Sequence, residues 1–161
     1  MRKNTIALTR SAIIAALYVA LTYVSALCGL SSGVIQFRIS EALCILPLFF
    51  PEAVAGLTLG CLLANLLTGA AAWDLVFGTL ATFIGIFLTR LMRALPEKIK
   101  WLATLPTILS NAIIIPFVLI HAYGVPDSYW FLFATVGLGE LVCAGFVGSA
   151  LYYVLRKHIK Y

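Results

Sequence analysis

Four ionisable residues stand where an apolar chain tolerates them least: Arg38, Glu41, Asp74 and Glu140. Glu140 lies about eleven residues into the apolar run 129–155, which puts it roughly 16 Å along a helix and near the middle of a bilayer. A charge at such depth costs about 3 kcal/mol on insertion scales, so four approach roughly 12 kcal/mol, comparable with the whole stability of an ordinary domain. Such groups must be paired, hydrated or used. Arg38 and Glu41 are three apart, so on a helix they share a face and can form an ion pair, a structural role. Asp74 and Glu140 are then left without a basic partner, because the other Lys and Arg residues cluster elsewhere in the chain. Two carboxylates lacking counter-ions suggest a guest that supplies the cation or the hydrogen-bond donors.

Other polar features converge on the same interior. In "PTILSNAIIIPF" Asn111 falls mid-span between Pro106 and Pro116, and Pro116 removes the hydrogen bond that would satisfy the carbonyl of Ala112. In "VGLGEL" Gly137 and Gly139 let another backbone or a flat ligand approach Glu140. Trp73, Tyr123, Tyr129 and Trp130 fit an aromatic belt at headgroup level, with Trp73 set apart because Asp74 adjoins it. Carboxylates, an amide, an arginine and aromatic faces suit a flat polar heterocycle. A carboxylate accepts two parallel hydrogen bonds from a guanine-type N–H and amino edge, a ring stacks on the plane, and a second carboxylate pairs with an attached ammonium. Hard metal ions need more oxygen ligands than these. The chain has no HExxH, and His121 and His158 lie apart from the acidic residues, so an enzyme is disfavoured. No Gly-Lys pair is present, hence no phosphate-binding loop; transport would be energised by a partner that uses ATP, with no cofactor on this chain.

These residues must be positioned by membrane-spanning helices. Of 161 residues 63% are hydrophobic and 11% charged, and the mean hydropathy of +1.07 requires a lipid solvent. The sequence therefore predicts one integral membrane domain over 1–161, all-α, because lipid satisfies no backbone polar groups. Long apolar segments cover 6–27, 74–93, 101–121 and 129–155. Pro51 and Glu52 divide a further stretch into a hairpin, 39–50 and 52–69, with Pro in the first turn of the second helix and Glu at its N-terminus. The first half is short for a crossing unless it is buried against neighbours. With six crossings, ten of the eleven basic residues fall on one side, Arg38 being the exception, which places both termini in the cytoplasm of a bacterial plasma membrane protein. The net charge of +5 is mostly this topology signal and makes no case for nucleic acid. The first apolar run is too long for a cleaved signal and is read as a retained helix. Cys28, Cys44, Cys61 and Cys143 show no metal spacing and read as packing residues, as do Gly56, Gly60 and Ala64. Glu97 and Asp127 read as solvated loop residues. Ala12, Ala16 and Ala20 recur every four residues and form a smooth stripe suited to close helix contact, with a partner or within the protein.

"FRISEALCILPLFFPEAVAGLTLGCLLAN" at 37–65 and "WDLVFGTLAT" at 73–82 resemble the QueT family, queuosine-precursor substrate-binding (S) components of energy-coupling factor (ECF) transporters, and the likeness extends more loosely over nearly the full chain. The resemblance implies a six-helix bundle that captures a micronutrient from outside and associates with a membrane T protein and two ABC ATPases. It implies that Ala12, Ala16 and Ala20 contact the T protein, that the bundle topples to deliver its cargo, and that a loop at about 28–38 covers the site. The cargo expected from it is a 7-deazaguanine such as 7-aminomethyl-7-deazaguanine, matching the guest inferred from the unpaired carboxylates. From predicted depth and polarity, Glu140 and Asn111 are expected to read the heterocycle edge, Asp74 the ammonium or second edge, and Trp73 the face. Arg38 with Glu41 would order the lid or contact the base, and Asn65 would line the same cavity. A self-sufficient proton-coupled carrier using Glu140 as relay, an S component for another vitamin-like heterocycle, and a purely structural subunit are the alternatives.

Overall fold

The computed structural model describes residues 2–30 and 36–159. Six helices alternate in direction: α1 (Arg2–Leu27), α2 (Ile39–Leu48), α3 (Ala53–Leu67), α4 (Asp74–Ala94), α5 (Glu97–Tyr123) and α6 (Tyr129–His158), with no strand among the described residues. Four of them, α1, α4, α5 and α6, are long and apolar enough to cross a membrane, while α2 and α3 are shorter. The outer helices pack in the order α1, α3, α4, α5, α6, and α2 runs among them against α1, α4 and α6.

The short second helix answers its length problem by winding and by burial. Ile39–Leu48 is wound throughout as a 3-10 helix. At about 2.0 Å per residue such a helix gains roughly 20 Å from ten residues, where an α-helix would gain about 15 Å. Every residue from Ser40 to Phe49 is buried, and only Ile39, at the start of α2, is exposed. Long 3-10 runs are uncommon because their hydrogen bonds are poorly aligned; here the enclosing helices and the apolar cluster of Leu43, Cys44 and Leu46 with Ile14, Leu57 and Ile86 hold the segment.

The hairpin turns where Pro51 and Glu52 predict it, but Glu52 makes no side-chain cap. Its carboxylate instead takes Arg10 Nη1 at 3.2 Å, and the Arg10 guanidinium lies 5.1 Å from the Phe50 ring centre. Gly56 and Gly60 are internal, as expected: a Cβ on Gly56 would lie 2.6 Å from the Ser11 carbonyl oxygen, and one on Gly60 2.9 Å from Tyr18 Cβ. This contact uses the Ser11, Ala15 and Tyr18 face of α1. Ala12, Ala16 and Ala20 lie on the opposite face and remain exposed. Cys44, Cys61 and Cys143 are buried free thiols, and Cys28 is exposed.

Three further helices depart from regular winding. α4 opens with a π segment, Asp74–Gly78, and closes with a 3-10 turn, Met92–Ala94. α5 begins earlier than the apolar pattern indicates, with a 3-10 segment Glu97–Thr104 whose charged residues mask it in the sequence. α6 carries a π segment, Leu141–Val147, in its middle. Glu97 is exposed, as its loop-like context implies, but it also anchors an ionic cluster. It accepts Lys100 Nζ at 2.6 Å and the Tyr152 hydroxyl at 2.5 Å, with Arg156 at 3.9 Å, tying the start of α5 to the end of α6.

Candidate substrate-binding site

The two ends of the bundle differ in chemistry. Arg10, Arg90, Lys98, Lys100, Arg156 and Lys157 gather at the end where α1 begins and α6 finishes, as the Arg10–Glu52, Arg90–Pro47 and Glu97–Arg156 contacts require. The opposite end holds a cavity of about 460 Å³, in the range typical of small-molecule sites, bounded by Thr22, Gln36, Arg38, Asn65, Asp74 and Tyr123 among others.

Each of these side chains reaches the cavity for a local reason. Arg38 precedes α2 in extended conformation, φ −97° and ψ 100°, so its side chain leaves the axis of that helix and turns towards α3 and α4. Its guanidinium donates from Nη1 to Asn65 Oδ1 at 3.3 Å and from Nη2 to Asp74 Oδ2 at 3.4 Å. This overturns the expected Arg38–Glu41 pair, since helical spacing does not apply to a residue outside the helix, and it gives Asp74 the basic partner that the sequence seemed to deny it. Asp74 also accepts the Tyr123 hydroxyl at 3.2 Å, and Asn65 Nδ2 donates to the Asp74 carbonyl at 3.3 Å. The Tyr123 hydroxyl in turn accepts the Ala71 N–H at 3.1 Å, linking the end of α5 to the approach to α4.

A second polar layer lies one turn of α1 deeper. There Glu41 accepts the Tyr18 hydroxyl and, at 3.1 Å, the Cys44 thiol. Glu140 lies within electrostatic reach of Asn111, Glu41 and Arg38. Glu41, Asn111 and Glu140 are at least nine-tenths buried, at 2%, 3% and 8% exposure, and none of them bounds the open cavity. The backbone of Gln36, which bounds the cavity, lies directly against Gly139, next to Glu140. One of the two approaches expected at "VGLGEL", that of another backbone, is thus present. Residues 31–35 of the anticipated covering loop lie outside the described residues, but its last three, Gln36 to Arg38, include two that bound the cavity.

The polar cluster is incompletely satisfied. Among the described residues, Arg38 Nε, Asp74 Oδ1 and Glu140 Oε2 are buried with no hydrogen-bond partner. Buried polar groups are nearly always paired, because leaving one unpaired costs about 1–3 kcal/mol and more when it is charged. The pattern of vacancies is specific: one donor that needs an acceptor, and two acceptors that need donors.

Trp73 takes no part in this arrangement. It is 55% exposed, stacks on Phe77 with ring centres 5.3 Å apart, and borders an apolar groove between α4 and α5. Tyr123, Thr22 and Gln36 were not singled out as ligand residues by the sequence. Thr22 had a readable signal: Tyr18, Thr22 and Ser25 recur at i, i+4 and i+7 along α1, a polar stripe on its buried face. Tyr123 had none beyond its place at a helix end, which fits a headgroup aromatic equally well.

A sequence model of the QueT transporter family matches residues 8–157. The chain belongs to the QueT family. That family is one of transporters, and four helices long and apolar enough to cross a membrane fit a multi-pass membrane protein. One QueT relative, described as Queuosine precursor transporter QueT from Lactococcus lactis subsp. cremoris (strain MG1363), is 37% identical over 84 residues. That alignment covers 52% of this chain and 48% of the relative, so the match spans about half the relative's length. No solved structure matches.

Proposed function

We propose that this QueT protein is the substrate-binding S component of an ECF-type importer and captures a 7-deazaguanine queuosine precursor, such as 7-aminomethyl-7-deazaguanine, in the cavity between α1, α3, α4 and α5. The observation that carries the reading is the set of unsatisfied buried atoms: Arg38 Nε, Asp74 Oδ1 and Glu140 Oε2. A deazaguanine carries a carbonyl acceptor beside an N–H and an amino donor, the same one-acceptor, two-donor complement, and its aminomethyl group adds a cation. Arg38, Glu41, Asp74 and Glu140 make three carboxylates to one guanidinium at this end, so a cationic guest improves the charge balance. The substrate named for the L. lactis relative is of this class.

In this reading Asp74 takes the ammonium or the second edge, Asn65 and Arg38 hold the cavity wall, and Tyr123 braces Asp74. Glu140 with Asn111 reads the heterocycle edge from beneath the cavity, and Arg38 orders the Gln36–Arg38 segment that bounds it. All six helices would act as spans, with the basic end cytoplasmic under the positive-inside rule and the cavity opening outside. The exposed Ala12, Ala16 and Ala20 face would dock on the T protein, whose two ABC ATPases supply the energy for toppling and release. Calorimetric titration of the purified protein with 7-aminomethyl-7-deazaguanine tests the binding step, and saturable 1:1 binding that excludes adenine is expected. Absence of binding to any deazaguanine would refute it. Co-purification with the T protein and ATPases tests the assembly.

The buried Glu41 and Glu140 pair favours one other reading, a self-sufficient proton-coupled carrier with Glu140 as relay. Uptake into liposomes containing this chain alone would select it over the S-component reading.

A further inference from the structure

The segment Gln36–Arg38 reaches the cavity held between two helices. On the α1 side the Phe37 N–H donates to the Leu30 carbonyl at 2.7 Å, and the Ile39 N–H donates to Ser25 Oγ at 3.1 Å. On the α6 side the Gln36 backbone rests on Gly139. A Cβ built on Gly139 would overlap the Gln36 carbonyl oxygen and lie 3.1 Å from its carbonyl carbon. No flexible side chain is there to swing aside, so the backbone itself would have to move.

Gly139 has no conformational reason to be glycine. Among the described residues the positive-φ glycines are Gly29, Gly69 and Gly124, whereas Gly139 sits inside an α-helix, where glycine is less favourable than alanine. What it contributes is space. Gly137, two residues earlier on the same helix, makes the comparison: a Cβ there would meet only Ala112 Cβ, at an ordinary 3.6 Å. Downstream of Gln36, the Arg38 bonds to Asn65 and Asp74 measure 3.3 and 3.4 Å, near the outer limit for N–H···O contacts. A displacement of a few tenths of an ångström breaks them.

We infer that Gly139 is a positioning residue for ligand capture, setting through the Gln36 backbone where the Arg38 guanidinium stands between Asn65 and Asp74. The inference rests on the deazaguanine reading of the cavity. It is tested by calorimetric titration of 7-aminomethyl-7-deazaguanine into the purified full chain, its Gly137→Ala, Gly139→Ala and Arg38→Met variants, and the Gly139→Ala/Arg38→Met double variant. Gly139→Ala is expected to weaken binding roughly 10-fold or more, the scale of a lost charge-assisted hydrogen bond. Gly137→Ala is expected to leave affinity unchanged, and Gly139→Ala to have no further effect once Arg38 is methionine. Unchanged affinity in Gly139→Ala overturns the inference, and so does an equal loss in the Arg38→Met background, which would mark a role independent of Arg38. If Gly139→Ala does not fold, Ser25→Ala releases the same segment from α1, and an Arg38-dependent loss of affinity is again expected; parent-like affinity would overturn it. A parent chain that binds no deazaguanine sinks the functional reading and this inference together, whereas a binding parent with an indifferent Gly139→Ala sinks only the latter.

Discussion

Replacing Asp74 with asparagine removes one charge and one acceptor while keeping the side-chain shape. Asp74 Oδ2 takes Arg38 at 3.4 Å and Tyr123 at 3.2 Å, and Oδ1 is buried without a partner, the vacancy assigned to the ligand. In the ligand-free protein the change strips Arg38 of its counter-ion, with 13% of that side chain exposed. Breaking a buried pair costs about 3–5 kcal/mol. Because the contact is long and Asn65 still receives Nη1, the lower figure, about 3 kcal/mol, is expected for stability. For binding, loss of a charged acceptor from a desolvated contact is worth about 2–4 kcal/mol, or roughly 30- to 1000-fold in affinity. The two effects separate experimentally: thermal unfolding without ligand reports the first, and calorimetric titration below the unfolding temperature reports the second. A folded Asp74→Asn protein that binds 7-aminomethyl-7-deazaguanine within threefold of the parent would refute Asp74 as a ligand acceptor. It would also take the largest support from the charge-balance argument.

Further outcomes follow from the same geometry. Glu140→Gln should weaken binding by about 2–4 kcal/mol if its unpartnered oxygen receives a ligand donor, and unchanged affinity in titration would remove Glu140 from the site. Ala16→Leu, on the exposed face of α1, should abolish uptake in cells carrying the T protein and ATPases while leaving binding by the purified chain intact; normal uptake would refute the docking assignment. Trp73→Ala should leave affinity within about twofold, an amount below the contribution of a single aromatic stacking contact, because Trp73 stacks on Phe77 away from the cavity.

The helical architecture was legible because its determinants are local. Long apolar runs, Pro51 at a turn and glycines at helix contacts announce themselves in one dimension, and the hairpin of α2 and α3 could be read from a single Pro-Glu step. The winding was not legible. Nothing in "ISEALCILPL" separates a 3-10 helix from an α-helix, since the choice is enforced by the helices around it. The same limit applies to pairing. Sequence spacing tied Arg38 to Glu41, whereas the fold carries Arg38 across to residues 27 and 36 positions away, Asn65 and Asp74. Membrane depth alone brought Arg38, Asn65 and Asp74 into consideration together, and the fold joins them in one cavity. Depth could not show that Glu41, Asn111 and Glu140 stand outside the wall of the open cavity, because that depends on how the helices pack.

The π segments of α4 and α6 set how the two ends of the molecule are phased. One begins at Asp74, the other immediately after Glu140. Each inserts an extra residue into the α-helical count, which turns the remainder of the helix by about 100° relative to an uninterrupted one. Shortening 141–147 by one residue would let α6 wind regularly, yet it would swing Tyr152 and Arg156 away from Glu97 at the far end. The carboxylate at mid-depth and the ionic clasp at the basic end are therefore geared to one another through a surplus residue that touches neither.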